Sequence, residues 1–404
     1  MTRLPELLAP AGDLECLETA LRFGADAVYV GGPKLQLRAG KVGFSLDGLK
    51  EAARVTHRAG KKLYVTVNAF PTNREIDGLG DYAQALLDVG ADAAIVADLG
   101  AIAAMRGAAP GLDIHVSTQA NCLNYMAARV YHDMGATRVV LGREMTLEQI
   151  AELRAKTPPE LELEAFVHGA MCMAWSGRCM ISAYLTDRSA NRGACTQSCR
   201  WNYHLMEEKR PGEFFPVEED ERGTTILSSF DLNCLDFLDR LTDAGICSFK
   251  IEGRMKTPYY VATVVNAYRR RMDDLANGTA TPEGLAALQR EINAASHRAF
   301  ASGFYFGAMK KHAPDDGSYH QDCVFAGVVK AALPGGRVRV ELRNRINRGD
   351  VVEVLSPHSL GLSFAADNIT DAQGVPLDAA TVPMSLFDMD APDTVVPGDL
   401  LRIR

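Results

Sequence analysis

The sequence is most informative first for what it lacks. Its 404 residues contain no run of about 18 uninterrupted apolar side chains, so no helix is expected to span a bilayer. The start, MTRLPELLAPAGDLE, has no continuous apolar stretch, and Asp13 and Glu15 come too early for a secretory leader. Positive charge is not in excess: 43 Lys and Arg face 51 Asp and Glu, a net charge of -8. A broadly basic nucleic-acid coat is thereby excluded, though a local basic cleft is not. There is no compositional bias toward disorder, collagen or coiled coil, with 47% hydrophobic and 23% charged residues. Nine cysteines are too few, and odd in number, for a disulfide scaffold. Protease signatures are missing too, since neither H-E-x-x-H nor G-x-S-x-G occurs. The expectation is a cytoplasmic protein of more than one domain.

What is present has a rhythm. A helical stretch, a glycine and a short apolar run recur at FGADAVYVGG (23–32), AGKKLYVTVNAF (59–70), VGADAAIVAD (89–98), MGATRVVLGRE (134–144) and AGICSFKIEGR (244–254). The glycine suits a left-handed helix end, and the β-branched run suits a strand buried on both faces. ELLAPAG (6–12), GLDIHVSTQ (111–119) and LELEAFVHG (161–169) complete eight strands. Eight strands alternating with helices predict an α/β fold of (β/α)₈ TIM-barrel type, with a doubly wound sheet as the alternative. The barrel is preferred because polar residues fall where strands end: Asn68, Asp98, Gln119, Arg143, Glu144, His168, Glu252 and Arg254. In a barrel these converge on one face, where such enzymes keep their sites.

The expected boundaries are a catalytic barrel over 1–275, a helical linker over 276–321 and a small β-barrel over 322–404. The last is read from short strands and glycine turns in GVVKAALPGGRVRVELRN, GDVVEVLSP and GDLLRIR. An insertion at about 170–245 interrupts the barrel and carries five of the nine cysteines, together with the acidic loop FFPVEEDERG. Connections of this length are usually functional.

Four of those cysteines form a pattern, Cys172-x₆-Cys179-x₁₅-Cys195-x₃-Cys199. Thiolates from two segments can surround one metal centre, with Gly169, Gly177 and Gly193 permitting close backbone approach. On spacing alone an iron–sulfur cluster, structural zinc and unrelated buried thiols all stay open.

The surrounding residues are more specific. EAFVHGAMCMAWSGRCMIS (164–182) matches the signature of the family labelled peptidase U32, and PELLAPAGDLE, NRGACTQSCRW and SFKIEGRMKTPYYVA (248–262) extend the match over almost the whole chain. The chain resembles in particular the bacterial prephenate-dependent tRNA uridine hydroxylases of that family. The resemblance implies a [4Fe-4S] cluster on Cys172, Cys179, Cys195 and Cys199, and hydroxylation of the wobble uridine to 5-hydroxyuridine with prephenate required. Cys234 stands where other branches use a cysteine ligand, and is the reserve. With Cys199 and Arg200-Trp201 present, Cys234 reads instead as a buried small hydrophobe, as do Cys16, Cys122, Cys247 and Cys323.

The family's older label makes proteolysis the alternative function, with His168 activating Cys172 as nucleophile; a non-catalytic cluster-bearing scaffold is another. For the hydroxylase, His168, Glu144, Arg143 and Glu252 are the candidate catalytic residues. Asn68, Gln119, Arg178, Arg254 and Lys256 are the candidates for substrate, the arginines because a dicarboxylate favours planar forks. Arg143 and Glu144 also read as a structural ion pair, and Lys250 shares a strand face with Glu252. For tRNA phosphates the places to look are Arg269-Arg270-Arg271 and Lys310-Lys311-His312, each also readable as a solvated face.

Overall fold

The computed structural model describes residues 4–37, 43–172, 177–201, 219–220, 223–224, 230–307, 319–358 and 360–404. Eight parallel strands run in chain order: Glu6–Pro10, Ala27–Gly31, Lys62–Val67, Ala93–Val96, Asp113–Val116, Arg138–Val140, Glu162–Ala170 and Ser248–Ile251. They are called here the first to eighth barrel strands. Each pairs with the next, and the eighth pairs with both its neighbours, Ser248 lying opposite Glu6 and opposite Glu164. The sheet therefore closes, and the doubly wound alternative falls away. The glycine of each of the five recurrences ends its helix at positive φ, from 68° to 104°. Helix starts are fixed by side-chain caps, as at Asp13, Asp98, Asn124 and Thr146.

The strands are apolar on both faces because one face meets the helices and the other fills the barrel. The outer shell, with Leu17, Leu63, Val96, Ile114, Leu163 and Val264, is one continuous core. Inside, Leu8, Tyr29, Tyr64 and Ile95 pack as a separate cluster. Toward the N-terminal end the interior is ionic. Arg138 donates to Glu6, Glu162 and Glu164, and Lys250 lies 2.8 Å from Glu164, whose side chain is wholly buried. Ser248 and Tyr64 donate to the same carboxylates. Burial alone would push the Glu164 carboxyl up, but Lys250 and Arg138 outweigh it and hold the group below its usual range.

Between the seventh and eighth strands, Asp231–Asn233 runs antiparallel to the seventh and pairs with Phe300–Ala301. The acidic loop expected over 214–223 lies, apart from Glu219, Asp220 and Gly223, outside the described residues. The stretch 276–321 holds the helix Pro282–Asn293, and Leu288, Ile292, Ala295 and Tyr305 belong to the barrel's own core. Beyond it, seven strands form an antiparallel sheet, from Leu362–Ala365 at one end to Thr370–Asp371 at the other, around a separate core with Val340, Val352, Phe387 and Leu401. No ladder joins its two end strands among the described residues. This sheet docks on the barrel through Arg22–Asp399, Arg402–Glu291 and a stacked Tyr259–Phe325 pair. No helix among the described residues is long and apolar enough to cross a membrane.

Candidate active site at the barrel mouth

The cysteine-bearing segment 177–201 lies over the C-terminal ends of the strands. A Cβ on Gly177, whose φ is +71°, would sit 2.0 Å from the Gln119 carbonyl oxygen, so only glycine permits this approach to the turn after the fifth strand. After the third strand, Phe70 N–H donates to Asn191 O (3.4 Å) and Arg192 donates to Phe70 O (2.7 Å). A close approach at Gly177 and hydrogen bonds at Phe70 therefore lay the insertion across the barrel mouth.

Within it, the short helix Ile181–Thr186 is tied to the turn Ser198–Arg200 by Ser182–Thr196 (2.9 Å) and Thr196–Ser198 (2.6 Å) hydrogen bonds, and Asn191 donates to Cys179 O. Cys172 and Cys195 are exposed, Cys179 and Cys199 half-buried, and none is in a disulfide. The Gln197 amide donates to Cys195 Sγ at 3.4 Å. In chemistry and accessibility this donor set fits a thiolate-held group. Among the described residues no three His, Cys, Asp or Glu side chains are placed to hold one metal ion. Cys234 is wholly buried, and burial pushes its thiol well up, as expected of a packing residue. Cys16, Cys122 and Cys323 are buried in the same way, whereas Cys247 is only partly covered and bonds Leu163 O.

His168 lies two residues before the end of the seventh strand and is 1% exposed. Its ring lies among Tyr260, Tyr268 and Phe300, with Nδ1 3.3 Å from Tyr268 Oη. Burial, with smaller contributions from His297 and Lys256, lowers its pKa from 6.5 to about 3. Desolvation disfavours the cation and keeps this caged imidazole neutral. Its ring bonds Tyr268 and not Cys172, so the nucleophile pair that proteolysis would need does not form among the described residues.

The Arg143–Glu144 ion pair does not form either. Arg143 turns back onto the seventh strand, donating to Ala170 O (2.7 Å) with its guanidinium 3.9 Å from the Phe166 ring centre. Glu144, half-buried, sits beside Asn121. Arg254 is 6% exposed and donates to Gln36, Thr66 and Leu37 O, tying the loop after the second strand to the eighth. Asn68 accepts from the Leu37 amide of that loop. Asp98 is spent on capping the helix Leu99–Ala108. Arg178 is exposed on the insertion. Lys256 donates to Ser296 O and lies about 5 Å from the rings of Tyr260 and Tyr319. Glu252 is half-buried, its amide bonded to His168 O and its carbonyl to Tyr260.

A second group escaped sequence reasoning. Asp231 and Arg298, both nearly fully buried, face each other at 3.6 Å beside His297, and Arg298 bonds Tyr319. Asp231 looked like part of the insertion, and nothing local marks it or Arg298. Their pairing depends on the antiparallel strand and the returning chain.

The arginine triplet is also reassigned. Successive helical residues point 100° apart, so the three are dispersed. Arg269 pairs with Asp26 and Asp273, Arg270 bonds Asn266 and Pro357 O, and Arg271, 8% exposed, bonds Leu235 O. They are intramolecular ties and do not form a solvated phosphate face. Lys310, Lys311 and His312 lie outside the described residues.

Comparison with known proteins follows this architecture. Over residues 12–314 the chain matches the model of peptidase family U32, and over 321–402 that of the peptidase family U32 C-terminal domain. It is 35% identical to tRNA hydroxylation protein P1 of Bacillus subtilis (strain 168) over 408 residues, covering 100% of this chain and 95% of that protein. Against tRNA hydroxylation protein P of Escherichia coli (strain K12) it is 34% identical, covering 92% of this chain and 90% of the relative. A 23S rRNA 5-hydroxycytidine synthase of the same organism is 38% identical over 268 residues, 66% of this chain and 39% of that one. With the two models matched in order over barrel and sheet, the chain belongs to peptidase family U32.

Proposed function

We propose that this protein is an RNA-hydroxylating enzyme that converts the wobble uridine of tRNA to 5-hydroxyuridine in the cytoplasm. Prephenate would be the required small dicarboxylate, and Cys172, Cys179, Cys195 and Cys199 would hold a [4Fe-4S] cluster. The observation that carries this reading is the end-to-end similarity to tRNA hydroxylation proteins, 35% identity over the full chain. The fastening of the cysteine segment across the barrel mouth agrees with it.

Replacing C5–H of uridine by C5–OH removes two electrons from the ring and adds one oxygen, so base and oxygen donor have to meet in one recess. A base in a tRNA loop is already unpaired and turns out of its stack at little cost. When bound, the cluster would supply electron transfer at a potential set by its thiolates and their hydrogen bonds. Arg143 holds Nη1 on Ala170 O and Met171 Sδ, and its remaining N–H groups would take a carboxylate. Lys256 and Arg178 would be further cations for it. Glu144 and Glu252, half-buried near strand ends, would handle protons, while His168 and Arg254 would position the strand ends and the Gln36 loop. Nucleoside mass spectrometry of tRNA from cells with and without the gene tests the reading. Loss of 5-hydroxyuridine in the deletion, restored by the intact gene, is expected; an unchanged level would overturn it.

A further inference from the structure

Residues 177–201 carry four arginines against a single acidic residue, Asp187, in a chain whose net charge is -8. They also carry four large apolar side chains open to solvent: Met180 at 72%, Tyr184 at 87%, Leu185 at 44% and Trp201 at 43% exposure. Single exposed apolar residues are ordinary, but such a group beside exposed Arg178 and Arg188 is not what a solvated loop requires. Tyr184 lies on the helix Ile181–Thr186, and Trp201 directly follows the turn hydrogen-bonded to it, so both rings belong to one small folded unit. That unit is held over the ends of the third and fifth barrel strands.

We propose that Tyr184 and Trp201, flanked by Arg178 and Arg188, form a stacking platform for unpaired nucleobases beside the base that enters the barrel. The proposal deepens the reading of this protein as an RNA-hydroxylating enzyme and rests on it. The chemistry is complementary on both counts. Arginines neutralise phosphates of the strand, and an aromatic face covers a base whatever its identity, which suits unpaired loops and not duplex RNA. A basic patch within an acidic chain also confines the polyanion to the side of the molecule where the site lies.

The test is RNA binding by the purified full-length protein, with two probes: an RNA hairpin with an unpaired loop and a blunt RNA duplex of equal length. Loss of one stacked base should weaken hairpin binding by Tyr184→Ala about five-fold or more, with duplex binding unchanged. Tyr184→Trp should restore it. Arg188→Ala should weaken both probes and lower the salt slope by about one. Tyr184 is too exposed for its replacement to unfold the chain, and a melting curve checks this. If the wild type hydroxylates tRNA and binds the hairpin while Tyr184→Ala and Trp201→Ala bind as well as wild type, the platform is wrong and the function stands. If the wild type neither binds RNA nor modifies it, both are wrong. Unchanged RNA binding with loss of a dimer in Tyr184→Ala would assign the patch to self-association and overturn the proposal.

Discussion

The two ends of the barrel use charged and reactive groups in opposite ways. At the N-terminal end Glu164, Lys250 and Arg138 are buried, and each is matched by an opposite charge within 3.0 Å. At the C-terminal end the thiols of Cys172 and Cys195 are exposed, and no three metal-binding side chains are gathered among the described residues. A group that is fully matched inside the fold has no capacity left for a ligand, so the first end serves stability. Groups left accessible on a segment laid across the mouth can meet a ligand, so the second end serves chemistry. Barrels in general divide their labour this way.

The largest effect should come from unbalancing the closed end. Glu164→Ala leaves Lys250 and part of Arg138 buried without a counter-charge, and should cost about 3–5 kcal/mol in urea denaturation. Replacing Glu164 and Lys250 together by Met should recover much of that loss, because the desolvation penalty goes with the pair. A small loss from Glu164→Ala would mean that the interior is hydrated and the contrast between the ends overstated.

At the mouth, Cys172, Cys179, Cys195 or Cys199 changed to Ala should abolish the brown colour and the roughly four irons per chain of protein purified without oxygen. Urea stability of the apoprotein should stay within about 1 kcal/mol, since these thiols are exposed or half-exposed. Cys234→Ala should keep the iron. Stoichiometric zinc without iron in that preparation, or bleaching by Cys234→Ala but not by Cys199→Ala, would show the ligand set to be wrong.

His168 belongs to the mouth by position but behaves like the closed end. Its folded pKa of about 3 lies below the 6.5 of an unhindered imidazole. The unfolded chain therefore binds the extra proton between these values, and stability present above pH 6.5 is lost as pH falls toward 3. Wholly buried His115 adds a contribution of the same sign. His168→Gln should flatten the acid limb of the stability curve by up to one proton. It should also leave the ionisations of activity near neutral pH where they were; a lost neutral ionisation would return His168 to proton transfer.

The smallest effect should come from an exposed ion pair. Arg192 and Glu75, with side chains 43% and 38% exposed, hold the insertion at 3.2 Å. Glu75→Ala should cost under about 1 kcal/mol in thermal melting, against several for Glu164→Ala, because water screens the one and not the other. A comparable cost would mean that the fastening at Phe70 depends on this pair.

Much of this was legible beforehand for a physical reason. Helix, glycine and β-branched run recur with local causes, so all eight barrel strands and the C-terminal strand segments could be read from the chain. Long-range matching could not. Glu6, Arg138 and Glu164 are far apart in sequence, and each alone looks like a surface charge. Asp231–Arg298 is hidden in the same way. The arginine triplet misled because adjacency in sequence is divergence on a helix.

The amino-acid sequence by itself determined the alternation that closes the barrel, the family and the identity of the accessible thiols, because periodicity, helix caps and spaced cysteines act over a few residues. Only the tertiary structure decided which charges are matched and which stay accessible. It caged His168 among three rings, turned Arg254 onto the Gln36 loop and laid residues 177–201 across the strand ends. Burial and pairing are properties of neighbours in space, and the closed sheet supplies those neighbours from strands far apart in the chain.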